Sequence, residues 1–394
     1  MEVLAIIAIV AFVSLIVIMI LFVSIKLQKN QHDAIYLNRK QKCLAVYNNY
    51  PRINQSPIPN GGLYFNEYFK TEKYYGLRDF FYAASYKSYL PCGYTHDIVS
   101  YDAIKNVLLQ GARVINLDIF YKGPFPFADD ASIIVGNVIN GQLSYLEGTK
   151  ENQQYLQFAN CLQIINELAW KKTDAPLFLY LNLEFDANSK LEYQIASQLA
   201  QYCNAHFLDK YYSFQRVNIG DIPVNQAKNK LIILTNRKPV DGMLNELTNG
   251  LMTSQSTNLI MYTIDKDDIR SGGVTTHFAK KEDAIQTCQF NLVAVIKTEE
   301  PNPDNKFNPK IDSQNYDTSH HFEIGLSISF MNWQVLDEPM KQYLEKFKDG
   351  GMVLKPANLI YQPRPKPRAT LRNKKFDYTN RTVAGLGGFY NFNT

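Results

Sequence analysis

Short apolar runs alternate along this chain with stretches whose apolar residues recur at helical spacing. That alternation restricts the fold more than any other feature. The stretch from Asp79 to Gly123 sets the pattern. Phe80 to Ala84 is apolar, and Tyr101, Ile104 and Leu108 repeat at helical spacing up to Gln110. Gly111 sits where a helix C-cap belongs, and Arg113 to Ile119 alternates and carries Asp118. The spacing predicts strands at 80–85, 114–120, 132–135, 177–183, 230–235, 259–264, 323–330 and 352–354. It predicts helices at 101–110, 151–170, 191–203, 281–290 and 339–348. Apolar strands separated by helices make a parallel sheet covered on both faces. Eight strands suggest a (β/α)8 barrel, although periodicity by itself leaves a doubly wound sheet open.

The N-terminus carries a different signal. Val3 to Val23 is almost unbroken Val, Ile, Leu, Ala and Phe, with one charge, Glu2, ahead of it. At about 1.5 Å per residue it spans roughly 30 Å, a bilayer's hydrocarbon thickness. A cleaved signal peptide has a shorter apolar region preceded by positive charge. Here an acid precedes the run, and Lys26, Lys29, Arg39, Lys40 and Lys42 follow it. We expect an uncleaved anchor over residues 1–25 and, by the positive-inside rule, a body on the cytosolic side. Residues 26–62 read as a basic juxtamembrane segment ending in a Pro/Gly linker (48–62), with the body over 63–362 and an extended arm over 363–394.

Composition adds exclusions. A net charge of +4 singles out no partner class, and nothing points to nucleic acid. The five cysteines, Cys43, Cys92, Cys161, Cys203 and Cys288, are scattered and form no CxxC. That argues against a disulfide framework or a zinc site and points to a reducing compartment. The sequons at Asn54 and Asn380 read as chance matches.

Several runs fall in a fixed order. Ser85-Tyr86-Lys87-Ser88-Tyr89-Leu90 is followed by Gln110-Gly111-Ala112-Arg113 and Asn116-Leu117-Asp118. Further on come Lys310-Ile311-Asp312-Ser313-Gln314-Asn315-Tyr316, Ser329-Phe330-Met331-Asn332-Trp333-Gln334 and Asp349-Gly350-Gly351-Met352-Val353-Leu354-Lys355-Pro356. This order resembles the X and Y regions of eukaryotic phosphoinositide-specific phospholipases C, over roughly residues 75 to 362. The resemblance implies a distorted TIM-type barrel and favours it over the doubly wound sheet.

It also implies where the family's chemistry would lie. Two histidines serve that catalysis, and their positions hold Tyr86 and Asn137 here. Asn137 cannot act as a general base near neutral pH. The calcium-site positions hold Lys87, Asn116, Asp118 and Asn182, with Glu184 nearby, and only Asp118 keeps an acid. We expect no metal, no cofactor and no intact catalytic group, with Lys87 either pairing Asp118 in place of a cation or, like Asp118, facing water at the barrel mouth. Thr235 and Arg237 replace the family's headgroup lysines. Arg237 and Lys238 form a residual anion site or a solvated basic turn. His320 and His321, taken as strand neighbours, face opposite ways and cannot chelate together.

The C-terminal arm is basic and proline-rich, with Arg364, Lys366 and Arg368 before an aromatic tip of Phe389, Tyr390 and Phe392. It reads as an extended docking arm for a protein partner or an anionic lipid surface. The whole chain reads as a membrane-anchored, inactive phospholipase-C-like barrel that tethers a membrane to a protein partner or layer. A virion is one such setting, with the body on the capsid-facing side of an internal membrane. The alternative is an active or headgroup-binding phospholipase that uses calcium and relocated groups drawn from His96, His206, His277, His320 or His321.

Overall fold

The computed structural model describes residues 2–51, 53, 58, 62–66, 70–92, 98–123, 132–139, 142–143, 155–254, 256, 259–264, 278, 280–297 and 314–361. It opens with helix α1 (Glu2–Leu44). Phe12–Gln31 within α1 is exposed, and is long and apolar enough to cross a membrane. The helix therefore continues without a break through the basic segment and ends at Leu44.

A hairpin of β1 (Leu63–Asn66) and β2 (Thr71–Tyr74) precedes the body. Then follow β3 (Phe80–Ser85), α2 (Tyr101–Leu109), β4 (Val114–Lys122) and β5 (Ser132–Val135). The short β6 (Val138–Ile139), β7 (Gln142–Leu143) and β8 (Leu156–Gln157) lead to α3 (Phe158–Leu168), β9 (Leu177–Leu183) and α4 (Ser189–Cys203). After α5 (Val224–Ala227) come β10 (Leu231–Thr235), α6 (Gly242–Leu247), β11 (Gly250–Leu251) and β12 (Leu259–Ile264). The last turn of the barrel is α7 (Lys281–Phe290), β13 (Leu292–Lys297), α8 (Ser319–Ile324), β14 (Ile328–Met331), α9 (Glu338–Lys346) and β15 (Met352–Leu354).

Eight strands run parallel in the order β11-β10-β9-β4-β3-β14-β13-β12, and a parallel bridge from Thr253 to Ile260 brings the two ends together. The result is the expected barrel. Alternate residues divide between two apolar layers, which is why the strands read as continuous apolar runs. Phe80, Tyr82, Ala84, Phe178, Tyr180, Ile232, Leu234 and Phe330 fill the interior. Phe81, Ala83, Ile115, Leu117, Leu179, Leu181 and Ile233 pack beneath the helices. Loops at the C-terminal ends of the strands form the mouth, and those at the N-terminal ends form the foot.

Four expectations are corrected. Residues 323–330 are not one strand: α8 ends at Ile324, Gly325 turns the chain at φ 82°, and β14 begins at Ile328. His320 and His321 therefore lie on a helix, and the argument from strand neighbours falls. The expected helix over 151–170 begins at Phe158 among the described residues, because Leu156 and Gln157 pair with β5. β13, a run of Leu, Val, Ala and Ile directly after α7, was not among the expected strands.

The segment read as a linker is the third correction. Tyr47, Tyr50, Ile53 and Ile58 are buried in the core. Tyr50 stacks on Trp333 at 6.0 Å and donates its hydroxyl to the Trp333 carbonyl. Gln110 donates to Tyr47 O at 3.3 Å, and Ile58 N donates to Asp174 at 3.4 Å. Proline forbids a helix here, but an extended chain with spaced aromatics can still be held by side-chain burial.

The fourth concerns cysteine. Cys43 and Cys92 form a disulfide, contrary to the expectation of a reducing compartment without a disulfide framework. Cys161, Cys203 and Cys288 are buried and unpaired with one another.

The chain meets the barrel at one end and leaves it at the other. Cys92 and Trp333 follow β3 and β14 at the mouth. Tyr361 lies at the foot, its N–H donating to Asp79 just before β3 and its ring under the Arg78 guanidinium at 4.2 Å.

Candidate functional site at the barrel mouth

β3, β4 and β9 lie side by side, and their C-terminal ends carry the site. The register sets Asp118 opposite Asn182 and Asn116 opposite Tyr180. Catalytic groups of such barrels come from these strand ends.

Lys87, two residues beyond β3, turns into the mouth with φ 41°, a left-handed conformation in which lysine is uncommon. Its backbone N–H donates to Asn116 Oδ1 at 3.0 Å. Its ammonium donates to Asn137 Oδ1 at 3.0 Å and lies 3.7 Å from Asp118 Oδ2, with both charged side chains buried. Asp118 also accepts from Tyr89 Oη at 2.7 Å, Asn182 Nδ2 at 3.1 Å and Asn116 Nδ2 at 3.5 Å. Three of the roughly four lone-pair directions that a carboxylate offers are thus taken by donors, and the Lys87 ammonium faces the same group. Asn182 further donates to Glu184 at 2.6 Å. Burial, with Asp118 and Glu184 close by, pushes the Tyr180 phenol well up, so it stays protonated.

The structure thus brings Lys87, Asn116, Asp118, Asn137 and Asn182 into one polar group. Tyr86 stands at its edge, half-buried, its ring meeting Phe330 edge-on at 6.3 Å and the Lys87 ammonium 5.8 Å away. Among the described residues, no three His, Cys, Asp or Glu side chains are placed to share a metal ion.

Arg237 is corrected. It does not form an open anion site with Lys238. Its guanidinium pairs with Glu192, which is fully buried, and donates to Phe185 O at 3.3 Å. The other Glu192 oxygen accepts from Val240 N at 2.6 Å and Asp241 N at 2.8 Å. Glu192 therefore holds the turn after β10, a role that the sequence reading missed. Its one signal was an acid four residues after Asn188, the N-cap of α4.

The histidines divide. His96 and His277 lie outside the described residues. His206 stacks on Trp170 at 3.7 Å, and His320 lies 3.7 Å from Glu323. His321 is buried with Nδ1 2.9 Å from Ser329 Oγ, and burial holds its imidazole down at about 3. The C-terminal arm beyond Tyr361, with Arg364, Lys366, Arg368, Phe389, Tyr390 and Phe392, also lies outside the described residues.

The quoted sequence runs beyond the mouth serve structure. Asn315 N–H and Nδ2 donate to Asp337 at 2.8 and 3.0 Å, and its Oδ1 accepts from Asn332 N at 2.6 Å. Tyr316 donates to Phe330 O at 2.9 Å and Trp333 to Ala84 O at 2.9 Å. Each ties a loop to the end of a barrel strand.

Residues 75–238 match the family described as phosphatidylinositol-specific phospholipase C, X domain. The solved structure of L. pealei PLC21 superposes with a TM-score of 0.50 at 16% identity, over 71% of this chain and 37% of that one. S. officinalis PLC21 gives 0.51 at 15%, over 73% and 38%. The chain spans less than two-fifths of the length of these solved proteins. No curated protein matches the sequence. The fold is a phospholipase-C-like barrel, and the X-domain match covers the mouth groups of β3, β4, β9 and β10.

Proposed function

We propose that this chain is a catalytically silent phospholipase-C-like barrel, anchored in a membrane through α1 and serving as a structural tether to a protein partner. The observation that carries the reading is Lys87. Its ammonium occupies the neighbourhood of the one acid retained from the family's calcium-site positions, bonded to the asparagine at a histidine position. A fixed positive charge opposes a divalent ion there, and three donors already hold the Asp118 carboxylate. Tyr86 and Asn137 offer no imidazole for proton transfer. No cofactor is needed for such a role.

The tethering role rests on geometry. The helix joins the barrel at the mouth, and the chain continues from the foot, so an anchor and a basic, aromatic-tipped arm would act from opposite ends. A membrane-to-capsid link in a virion is one setting that would use this arrangement.

Calcium titration tests the silence. Calcium added to the full chain should leave its Tm unchanged, whereas Lys87→Asn, which removes the resident cation, should gain a calcium-dependent rise. A ligand bound only by the folded state raises Tm, so a rise in the wild type would overturn the reading.

A further inference from the structure

Two of the five cysteines differ from the rest. Cys161, Cys203 and Cys288 are buried, and burial pushes their thiols up, which leaves them protonated and poor nucleophiles. Cys43 and Cys92 are bonded across 49 positions of sequence. Cys43 is half-buried at the end of α1, and Cys92 is 3% exposed in the chain between β3 and α2. The surroundings already bring them together. Tyr50 is stacked on Trp333, Tyr47 on Tyr50, and Ser100, the N-cap of α2, donates to Tyr89 O at 2.9 Å. Tyr89 in turn holds Asp118. The bond thus fastens the end of the membrane helix to the loop that supports the mouth group.

We propose that Cys43 and Cys92 are an oxidative modification site, a substrate pair for a disulfide-donating thiol oxidase, and that the bond made there locks the anchor to the rim of the barrel mouth. The half-exposed Cys43 meets the donor. Its thiolate attacks one sulfur of the donor disulfide, forms a mixed disulfide and expels one donor thiolate. The Cys92 thiolate then attacks the Cys43 sulfur, forms the Cys43–Cys92 bond and expels the second donor thiolate. The two cysteines lose two electrons and two protons, and the donor leaves as a dithiol. Such a donor is available on the extracytoplasmic side of a membrane, whereas the cytosol keeps thiols reduced. This inference stands independently of whether the barrel is silent.

The test uses the full chain in the membranes of the expressing cell. Thiols are trapped with an alkylating reagent before lysis, and peptides are mapped without reduction. A linked Cys43–Cys92 peptide is expected, with Cys161, Cys203 and Cys288 alkylated only after unfolding. Recovery of Cys43 and Cys92 as separately alkylated thiols would overturn the proposal. Protease protection of sealed vesicles from the same cells identifies the side on which the donor acts. Hydrogen exchange checks the lock. Backbone amides over 45–53 should exchange roughly tenfold faster in a Cys43→Ser/Cys92→Ser variant than in the oxidised chain, while β9 and β10 stay unchanged. Equal rates over 45–53 would show that the bond locks nothing.

Discussion

The ammonium of Lys87 lies 3.7 Å from Asp118 Oδ2, with each side chain at most 4% exposed. A buried pair of this kind is weak evidence for net stability, but removing one member leaves an uncompensated charge. Lys87→Met and Asp118→Asn should each cost about 3–5 kcal/mol by chemical denaturation. The double variant should cost clearly less than the sum, because neither charge is then stranded. Strictly additive losses would mean that the two charges do not interact.

Glu192 anchors the turn after β10 through Arg237 and two backbone N–H groups. Glu192→Ala leaves the two N–H groups without an acceptor and Arg237 without its carboxylate, and should cost about 2–4 kcal/mol. Limited proteolysis should show new cleavage within 236–241. An Arg237→Ala variant should open the same turn less, since the backbone donors keep their partner.

His321 sets a pH limit. Burial holds its imidazole neutral down to about 3, whereas the unfolded chain takes up the proton near 6.5. Between those values the unfolded state binds more protons, so stability is present above about pH 6.5 and is lost as pH falls toward 3. The full effect of one such group is roughly 4–5 kcal/mol. Carboxylates titrate in the same window, so the comparison is with His321→Asn, whose denaturation midpoint should fall less steeply between pH 6.5 and 4.

Gly351 packs directly against backbone. A Cβ there would stand 1.8 Å from the Gly111 carbonyl oxygen, and backbone cannot yield as a side-chain tip can. Gly351→Ala should lower stability by about 2 kcal/mol or more, whereas Gly242→Ala, where a Cβ meets nothing within 4 Å, should be near neutral or better.

The barrel was legible because its strands are buried on both faces and its helices on one, which leaves a strong contrast in pattern. β3, β5, β9, β12 and β15 begin and end where the pattern places them. Gly111 sits just past α2 with φ 101°, as its position suggested. The Lys87–Asp118 pairing was suggested only by the resemblance, which puts both residues at metal-site positions and left open that both face water; the structure pairs them at 3.7 Å. Other features depend on contacts that no local pattern encodes. Tyr50 and Ile53 look like linker residues until Trp333 and Gly111 are placed beside them. The Cys43–Cys92 bond needs two positions that only the tertiary fold brings together. Arg237 reads as a free cation because Glu192 lies 45 positions away in sequence.

Turnover tests the central claim most directly. Phosphatidylinositol and its bisphosphate would be presented in vesicles to the full chain, with calcium and with chelator, beside a Tyr86→His/Lys87→Asn/Asn137→His variant. The account predicts no cleavage by the wild type in either condition, because the mouth holds an ammonium and two non-basic side chains where the chemistry needs a cation and imidazoles. Calcium-dependent cleavage by the wild type would contradict it.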